Sequence, residues 1–209
     1  KNNKKIKEDD FKKPLNPYGS TKETIEKILY ELKESNKNWS FAILRYFNPV
    51  GAHYSGLIGE NPKNKPNNIM PIINEVALGK KEHVNIYGNN WDTLDGTPVR
   101  DYIHVMDLAD GHIKSLEYLL EKKSDLLIVN LGTGIGTSVL KLIKTFNEIN
   151  NIDIPYKFTS RREGDIQYSV ADNKKAATLL NWKPKRNIEE MCRDSWKWTS
   201  QNNASFLEI

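Results

Sequence analysis

Apolar side chains recur along the chain in two alternating patterns. Short, almost continuously apolar runs at 41–47 and 126–131 are typical of strands that are covered on both faces. Longer segments at 17–35 and 107–121 carry apolar side chains three or four residues apart, which is the repeat of one helix face. Because strands of this kind alternate with helices, the chain is predicted to have an α/β architecture.

The same patterns predict the remaining elements. Further helices are predicted at 69–79, 137–149, 173–180 and 188–199, and further strands at 84–87, 102–105 and 152–158. The segment 55–68 is rich in Gly, Pro and Asn and is predicted to be a long loop, with Pro49 and Gly51 ending the strand before it. Long loops inside compact domains usually have a function.

Composition and charge exclude several classes of protein. Apolar residues make up 38% of the 209 positions, which is enough for a buried core. The net charge of +4 comes from basic residues interleaved with acidic ones, so no nucleic-acid surface is indicated. No apolar run reaches the ~20 residues that span a membrane. The single cysteine, Cys192, fits a reducing cytoplasm, and the histidines lack the spacing of metal ligands.

Tyr18 and Lys22 give the sharpest local signal for chemistry. They are four residues apart on the first predicted helix, so their side chains share a face. A phenol is a weak base at neutral pH, but a neighbouring ammonium group and the positive end of a helix both favour its anion. The pair is therefore predicted to take a proton from a hydroxyl while hydride leaves the same carbon. By spacing alone, an exposed tyrosine and lysine on an ordinary helix remain the alternative.

Several motifs in a fixed order extend this signal to nearly the whole chain. They are Pro17-Tyr18-Gly19-Ser20-Thr21-Lys22, Leu44-Arg45-Tyr46-Phe47-Asn48-Pro49-Val50-Gly51-Ala52-His53, Pro66-Asn67-Asn68-Ile69-Met70-Pro71, Val99-Arg100-Asp101-Tyr102-Ile103-His104-Val105, Asp107-Leu108-Ala109-Asp110-Gly111-His112, Asn130-Leu131-Gly132-Thr133-Gly134 and Arg161-Arg162-Glu163-Gly164-Asp165. With them the chain resembles the extended short-chain dehydrogenase/reductase family and, within it, the UDP-glucose 4-epimerases.

The resemblance implies a particular domain organisation. Residues 1–53 would be a partial Rossmann-type NAD-binding domain, and residues 54–209 mainly the C-terminal substrate-binding α/β domain, with some segments returning to the Rossmann sheet. The family's glycine-rich NAD fingerprint and its Ser or Thr beside the sugar hydroxyl would lie upstream of Tyr18, and this chain has neither. We therefore expect uncovered apolar surface and sheet edges, and no epimerase activity from these residues alone.

The resemblance also implies an activity, NAD as cofactor, a UDP-hexose as substrate and a homodimer of the full-length protein formed partly by the tyrosine-bearing helix. Catalysis would depend on Tyr18 and Lys22, cofactor contacts on Tyr18, Lys22 and Tyr46, and substrate contacts on Asn48, Asn68, Asn85, Ile86, Tyr87, Arg100, Arg162, Asp165 and Ser169. In that set the two arginines would bind the diphosphate, Asp165 the uridine ribose, and the strand 85–87 the uracil. UDP-glucose and UDP-galactose would interconvert through a 4-keto sugar.

Ser169 bears on the choice of sugar. The position four residues after Asp165 lies, in the family that the chain resembles, at the wall of the sugar pocket. A tyrosine there accompanies enzymes restricted to glucose and galactose, and a small residue accompanies the use of N-acetylated sugars. Ser169 therefore implies room for UDP-GlcNAc and UDP-GalNAc, unless Tyr168 fills the space through a shift of one residue.

Two other functions remain open at this point. A nucleotide-sugar dehydratase or decarboxylase of the same family would share the Tyr and Lys, and a non-catalytic UDP-sugar binding fragment would keep only the ligand wall. The glycine-rich turn 132–136 resembles a dinucleotide fingerprint, but its third glycine comes one residue early, so cofactor binding is not expected there. Arg45 is expected to be ion-paired, and Asp107 to cap the helix that follows it.

Overall fold

The computed structural model describes residues 4–62, 64–122 and 125–202, which form a mixed α/β fold. Its helices are α1 (Pro17–Ser35), α2 (Ile69–Ala77), α3 (Val105–Lys122), α4 (Val139–Asn150), α5 (Lys174–Leu180) and α6 (Ile188–Gln201). Its strands are β1 (Phe41–Tyr46), β2 (Asn48–Val50), β3 (Val84–Tyr87), β4 (Val99–His104), β5 (Leu126–Leu131), β6 (Gly136–Ser138), β7 (Tyr156–Thr159) and β8 (Tyr168–Ser169). The predicted helices and strands are confirmed. The short strands β2, β6 and β8 escape the sequence pattern because two or three residues show no alternation.

The first helix begins where the sequence predicts because Asn16 caps it. The Asn16 side chain accepts a hydrogen bond from the backbone N–H of Gly19 at 2.8 Å, and Pro17 opens the first turn. No residue of α1 is buried: Ile25 is 49% exposed and Ile28 53%. The uncovered apolar surface expected from the sequence is therefore present on this helix.

β1 and β5 run parallel, with Phe41 opposite Leu126 and Tyr46 opposite Leu131. Side chains from β5, α3, α5 and the end of β4 form a hydrophobic cluster on this pair. Its buried members are Ile103, Leu108, Leu127, Val129, Leu131, Ala176, Leu180 and Trp182. Because helices cover these strands, β5 can be apolar at every position except Asn130.

β4 is the centre of a second sheet, since β2 and β8 pair with it in parallel and β6 antiparallel. Contrary to expectation, Pro49 does not end the extended chain. It lies within β2, whose pairing is with β4 alone, and an edge strand tolerates the missing N–H of proline. The chain instead changes sheets between Tyr46 and Asn48.

A third, two-stranded sheet is made by the parallel pair of β3 and β7. A second hydrophobic cluster joins β3 and β4 to α2, α4 and α6. Its buried members are Val50, Met70, Ile73, Val76, Val84, Ile86, Tyr102, Leu140, Leu142, Ile143, Phe146, Ile154, Met191 and Cys192. The division of the chain at residue 53 stays a prediction.

Two buried polar groups, at the end of β4 and in the first turn of α3, connect this part of the chain to α6 and the segment before it. His104 accepts a hydrogen bond from the backbone N–H of Met106 at 3.1 Å, and its other ring nitrogen lies 3.1 Å from the Asp194 carboxylate on α6. Burial lowers the pKa of His104. Asp107 does not cap its own helix as expected: its carboxylate instead accepts from the backbone N–H and the guanidinium of Arg186. The Asp107 carboxylate accepts hydrogen bonds from the segment that leads into α6, because the backbone N–H groups of that segment have no helical partners.

Candidate functional site

Tyr18 and Lys22 lie on the first turns of α1 and share one face, as their spacing predicts. The ammonium nitrogen of Lys22 is 5.1 Å from the centroid of the Tyr18 ring. Tyr18 is 69% exposed, so its phenol is accessible to a substrate. The pair therefore has the geometry needed for proton transfer to or from a bound hydroxyl.

Beside this pair lies a cleft of about 720 Å³, which we call the tyrosine cleft. It is bounded by α1, by the chain from β1 into β2, and by part of the segment before α1. The candidate residues on its wall are Tyr18, Lys22, Tyr46, Asn48 and Ser169, and Phe47 also lines it. Tyr18 and Ser169, which are 151 positions apart in sequence (169 − 18), thus meet at one opening, as the resemblance implies for Tyr18 and the later motifs.

Arg45 is ion-paired, as expected, and the pair joins α1 to β1. Its guanidinium donates to both carboxylate oxygens of Glu26, at 2.7 and 2.8 Å, and to the backbone oxygen of Glu8 at 2.7 Å. The hydrogen bonds from Arg45 hold the pKa of the Glu26 carboxyl below its ordinary value. Bidentate pairs of this kind add geometric precision, so this clamp fixes the helix that carries Tyr18.

The aromatic wall of the tyrosine cleft differs from the sequence expectation. Tyr46 is half exposed, and its ring centroid is 6.3 Å from that of His112 on α3. Alternate residues of an extended chain share a face, so Phe47 lies on the side of Arg45 and α1. Sequence reasoning missed Phe47, although the alternation along β1 could have identified it.

A second cleft, of about 310 Å³, collects most of the other candidates, and we call it the arginine cleft. Its wall includes Asn48, Asn68, Asn85, Tyr87, Arg100, Arg162 and Asp165. These residues come from β2, β3, β4, the start of α2 and the turn after β7. Since Asn48 lines both clefts, the two openings are neighbours.

Ile86 is the one predicted substrate contact that lines neither cleft. It is fully buried in the hydrophobic cluster of α2, α4 and α6. Successive side chains of a strand point to opposite faces, so β3 directs Asn85 and Tyr87 to the cleft and Ile86 to the core. If β3 lines a ligand site, it would do so through the side chains of Asn85 and Tyr87 and through only the backbone of Ile86.

Two guanidinium groups flank one carboxylate in the arginine cleft. Arg162 donates to Asp165 at 3.2 Å, and a guanidinium nitrogen of Arg100 lies 3.7 Å from the other Asp165 oxygen. Arg100 also donates to the backbone oxygens of Val99 and Ile166, and burial lowers its pKa. Because two positive groups face one negative group, the cleft suits an anion with several oxygens, such as a diphosphate.

The two neighbouring arginines after β7 have different roles. Arg162 stacks on the Tyr87 ring, with its guanidinium carbon 4.2 Å from the ring centroid, and lines the cleft. Arg161 stacks instead on Trp91 at 3.9 Å and donates to both the side chain and the backbone of Asn90. Arg161 therefore braces a neighbouring loop, and only Arg162 is available to a ligand.

Ser169 and Tyr168 point to opposite sides of β8. Ser169 lies opposite Arg100 in the strand register and lines the tyrosine cleft. The Tyr168 ring lies instead beside Gly136, where a Cβ atom would come within 3.4 Å of it. Neither of the two clefts includes Tyr168 in its wall.

The glycine-rich turn 132–136 is occupied by a buried carboxylate. Asp101 accepts hydrogen bonds from the backbone N–H groups of Thr133 and Gly134, both at 2.8 Å, and of Ala171 at 3.1 Å. Burial raises the pKa of Asp101, and these hydrogen bonds oppose that effect. Because the N–H groups of Thr133 and Gly134 already have this acceptor, they are not free to bind a pyrophosphate.

Several residues of the arginine cleft were not among the predicted site residues, and they include Lys81, His83 and Tyr102. His83 precedes β3 and continues its alternation with Asn85 and Tyr87, which is a signal that the sequence offered. Lys81 is paired with Glu75 at 2.5 Å. Within the ranges that the structure describes, no group of three or more His, Cys, Asp or Glu side chains could hold a metal ion, and no helix is long and apolar enough to cross a membrane.

Comparison with known proteins identifies the relatives of this chain. The family model described as GDP-mannose 4,6 dehydratase matches residues 1–195. Over 187 residues the chain is 52% identical to the UDP-glucose 4-epimerase of Bacillus subtilis (strain 168), a match that covers 90% of this chain and 55% of that protein.

Two solved structures have the same fold over this length. UDP-glucose-4-epimerase of Stenotrophomonas maltophila, with bound NAD and formylated UDP-arabinopyranose, matches with a TM-score of 0.92 and 42% identity over 96% of this chain and 59% of that one. The Bifidobacterium longum enzyme, in complex with NAD+ and UDP, matches with a TM-score of 0.91 and 43% identity over 95% of this chain and 59% of that one. The chain thus spans little more than half the length of these proteins. Its resemblance to UDP-glucose 4-epimerases and its Rossmann-like α/β fold are confirmed.

Proposed function

This chain belongs to the family matched by the GDP-mannose 4,6 dehydratase model, with UDP-glucose 4-epimerases as its relatives, and from that premise we propose that the whole protein is an NAD-dependent UDP-glucose 4-epimerase. The chain would contribute the proton-transfer pair and the UDP-sugar site. The observation that carries the proposal is the arrangement of the two clefts. The arginine cleft gathers seven of the predicted ligand residues and adjoins the cleft of Tyr18 through Asn48.

Substrate binding follows from the chemistry of the arginine cleft. Arg100 and Arg162 would hold the diphosphate, for which planar guanidinium donors are well suited. Asp165 would accept hydrogen bonds from the uridine ribose, since a carboxylate can accept from both hydroxyls of a diol. Asn85 and Tyr87, with the backbone of Ile86 between them, would contact the uracil.

The residues of the tyrosine cleft fit the nicotinamide end of NAD, which when bound supplies a reversible hydride acceptor. Lys22 would donate to the ribose hydroxyls, and Phe47 and Tyr46 offer apolar surface for the ring. Tyr18 takes the proton of the sugar 4-hydroxyl as that carbon becomes a ketone. After the 4-keto sugar has rotated in the site, hydride would return to the opposite face of the carbon while Tyr18 gives the proton back to the oxygen, and the opposite configuration would result.

An assay of the products tests this proposal. The whole protein should convert UDP-galactose to UDP-glucose without net consumption of NAD, and Tyr18→Phe should slow the conversion about a thousandfold. A stable 4-keto product or released carbon dioxide would instead indicate a dehydratase or a decarboxylase. Binding of UDP without bound NAD would favour the non-catalytic alternative. We expect no turnover of UDP-galactose by these 209 residues alone with NAD added.

Ser169 supports use of N-acetylated sugars as well. Its small side chain lines the cleft of Tyr18, where the reacting sugar would lie, and the ring of Tyr168 is directed to Gly136 on the other side of β8. The proposed substrates therefore include UDP-GlcNAc and UDP-GalNAc.

The proposed assembly is a homodimer, and the proposed location is the cytoplasm. Exposed apolar side chains on α1 and α3 support a helix-mediated interface, among them Ile25, Ile28, Ile113 and Leu116. Sedimentation of the whole protein should give a dimer, and Ile28→Asp should shift it toward the monomer. A wild-type monomer would reject this part of the proposal. The one cysteine, Cys192, is buried and unpaired, which agrees with a reducing compartment.

A further inference from the structure

The two strands that flank Arg100 are very short. β8 has two residues and β6 has three, so each makes only a few ladder hydrogen bonds with β4. In the strand register, Arg100 lies between Ser169 on β8 and Thr137 on β6. Arg100 lines the arginine cleft and Ser169 the tyrosine cleft. Because short strands pair weakly, the spacing of these two side chains needs support beyond the ladder.

That support comes from the side chain of Asp101, the next residue of β4. One carboxylate oxygen accepts from the backbone N–H of Thr133 at 2.8 Å and from its hydroxyl at 2.6 Å. The other oxygen accepts from the backbone N–H groups of Gly134 at 2.8 Å and of Ala171 at 3.1 Å. Asp101 is fully buried and lines neither cleft. Any effect of its carboxylate on a ligand therefore passes through other residues.

The donors to this carboxylate belong to the two segments that flank β4. Thr133 and Gly134 form the turn that leads into β6, and Ala171 lies two residues after β8. The pairing of β4 with β8 ends at Arg100 and Ser169. The hydrogen bond from Ala171 thus continues the attachment where the backbone pairing stops. A single carboxylate holds both neighbours of the strand that carries Arg100.

Gly132 shows how closely these segments meet. A Cβ atom at this position would lie 2.7 Å from an Asp101 carboxylate oxygen and 2.7 Å from the Cβ atom of Ala171, so only glycine fits. The turn, the carboxylate and the end of β8 therefore have little freedom to shift against one another. Ile6 also pairs with Ala171 through an isolated parallel bridge, so this segment keeps one attachment when Asp101 is altered.

We propose that Asp101 is a positioning residue for the substrate: its carboxylate holds the end of β8 and the turn before β6 against β4, and so fixes Arg100 and Ser169 at the spacing that a UDP-hexose requires. Binding groups need such a supporting shell, because a small displacement weakens their contacts. The inference rests on the proposed function, which assigns Arg100 to the diphosphate and Ser169 to the sugar. The effect on Arg100 can be measured from UDP binding, without turnover.

Calorimetry of UDP binding to the whole protein with NAD bound, in a buffer without phosphate, tests the effect on Arg100. Asp101→Ala leaves three N–H groups without this acceptor and should weaken UDP binding roughly tenfold. Asp101→Asn should weaken it only about threefold. Its amide oxygen can accept from Gly134 and Ala171 while its NH₂ group donates to the Thr133 hydroxyl oxygen, so only the Thr133 N–H loses its acceptor.

Asp107 provides the matched control. It is another buried carboxylate that accepts from backbone N–H groups, those of Lys185 at 3.0 Å and Arg186 at 2.9 Å, and it lines neither cleft. Asp107→Ala and Asp107→Asn should lower the thermal stability, because they remove a partner of buried groups, and leave the affinity for UDP unchanged. If Asp101→Ala does not fold, the two asparagine variants carry the comparison.

A double-mutant cycle tests the effect on Ser169. Ser169→Tyr should reduce kcat/KM for UDP-GalNAc by at least about tenfold in the wild-type background. In the Asp101→Ala background the added ring should cost less than about threefold, because β8 can then move away from the sugar. In the Asp101→Asn background the hydrogen bond from Ala171 is kept, and Ser169→Tyr should retain its full effect.

Two results would overturn the inference and leave the proposed function standing. One is a loss of UDP affinity at Asp101 no greater than at Asp107, and the other is an equal effect of Ser169→Tyr with and without Asp101→Ala. A wild-type protein that binds UDP but does not convert UDP-galactose would instead reject the proposed function. In that case the UDP affinities of the Asp101 variants would still decide whether Asp101 positions Arg100.

Discussion

The two clefts of this chain differ in how completely its own residues enclose them. The arginine cleft measures about 310 Å³, and its two guanidinium groups, its carboxylate and its stacked tyrosine hold one another in place. The tyrosine cleft, at about 720 Å³, is more than twice as large, and Tyr18 projects from a helix without buried residues. Under the proposed function, recognition of the nucleotide would therefore be organised within this chain, whereas the reacting end would need further surface to become closed.

The change of sheet between β1 and β2 connects the two regions. β1 pairs with β5 beside α1, and two residues later β2 pairs with β4 beside Arg100. Asn48, the first residue of β2, consequently lines both clefts. A substrate anchored by its diphosphate would in this way present its sugar to Tyr18. Variants in the arginine cleft should therefore affect binding, and variants at Tyr18 should affect the chemical step.

The largest effect is expected at the open cleft. Tyr18→Phe in the whole protein removes the only proposed proton-transfer group of this chain, and kcat should fall about a thousandfold, within the range typical of general acid–base groups. The affinity for UDP should stay within about twofold, since the phenol is not part of the arginine cleft. Steady-state kinetics and calorimetry of UDP binding measure the two quantities. A parallel loss of both would contradict the separation of the clefts.

At the closed cleft, the expected loss is in binding. Arg162→Ala should weaken UDP binding by roughly tenfold or more, because it removes a charge-assisted hydrogen-bond donor and the stack on Tyr87. Arg162→Lys keeps the charge without the planar fork, so its affinity for UDP should lie between those of the wild type and Arg162→Ala. Arg161→Ala is the matched control, because Arg161 contacts Trp91 and Asn90 and not the cleft. Equal effects of the two arginines would argue against this assignment.

A smaller and more selective effect is expected from Ser169→Tyr. A ring at this wall should reduce kcat/KM for UDP-GalNAc by at least about tenfold, since steric exclusion acts on the N-acetyl group. UDP-galactose should be converted at nearly the wild-type rate. Tyr168→Ala, which alters the other face of β8, should leave the ratio of kcat/KM for UDP-GalNAc to kcat/KM for UDP-galactose unchanged. If Tyr168→Ala and not Ser169→Tyr alters the ratio, the register assumed for this strand is wrong.

The smallest effect concerns acid stability at the junction of β4, α3 and α6. Burial lowers the pKa of His104 below its ordinary 6.5, so the unfolded chain takes up this proton at a higher pH than the folded chain does. The unfolding free energy of the whole protein should therefore decrease as pH falls below 6.5, and more slowly in His104→Asn. Denaturant titrations between neutral and mildly acidic pH measure the slope. The same slope in both proteins would show that another group is responsible.

Much of the fold was accessible from the sequence because its signals are local. The cap at Asn16, the helical repeat of α1 and the apolar run of β5 each specify their element without reference to the rest of the chain. The short strands β2, β6 and β8 depend on β4 as a partner, and no local pattern marks them. Pro49 was misjudged for the same reason, since its tolerance depends on lying at a sheet edge.

The candidate site shows the same limit. Motif resemblance identified residues that the structure gathers in two clefts, but not the direction of each side chain. Whether Ile86 or Asn85 faces the ligand site is decided by the register of β3 against β7. Phe47 and His83 were missed although alternation along a strand could have identified them.

The turn at 132–136 differs only slightly from an anion-binding loop. Its backbone amides converge as they do in loops that cradle phosphate, but the Asp101 side chain is already seated among them. A search that accepted any glycine-rich turn after a strand would assign a nucleotide to this turn. The substitution Asp101→Ala would leave these backbone amides without an acceptor, and we expect a sulfate or phosphate ion from solution to bind in its place.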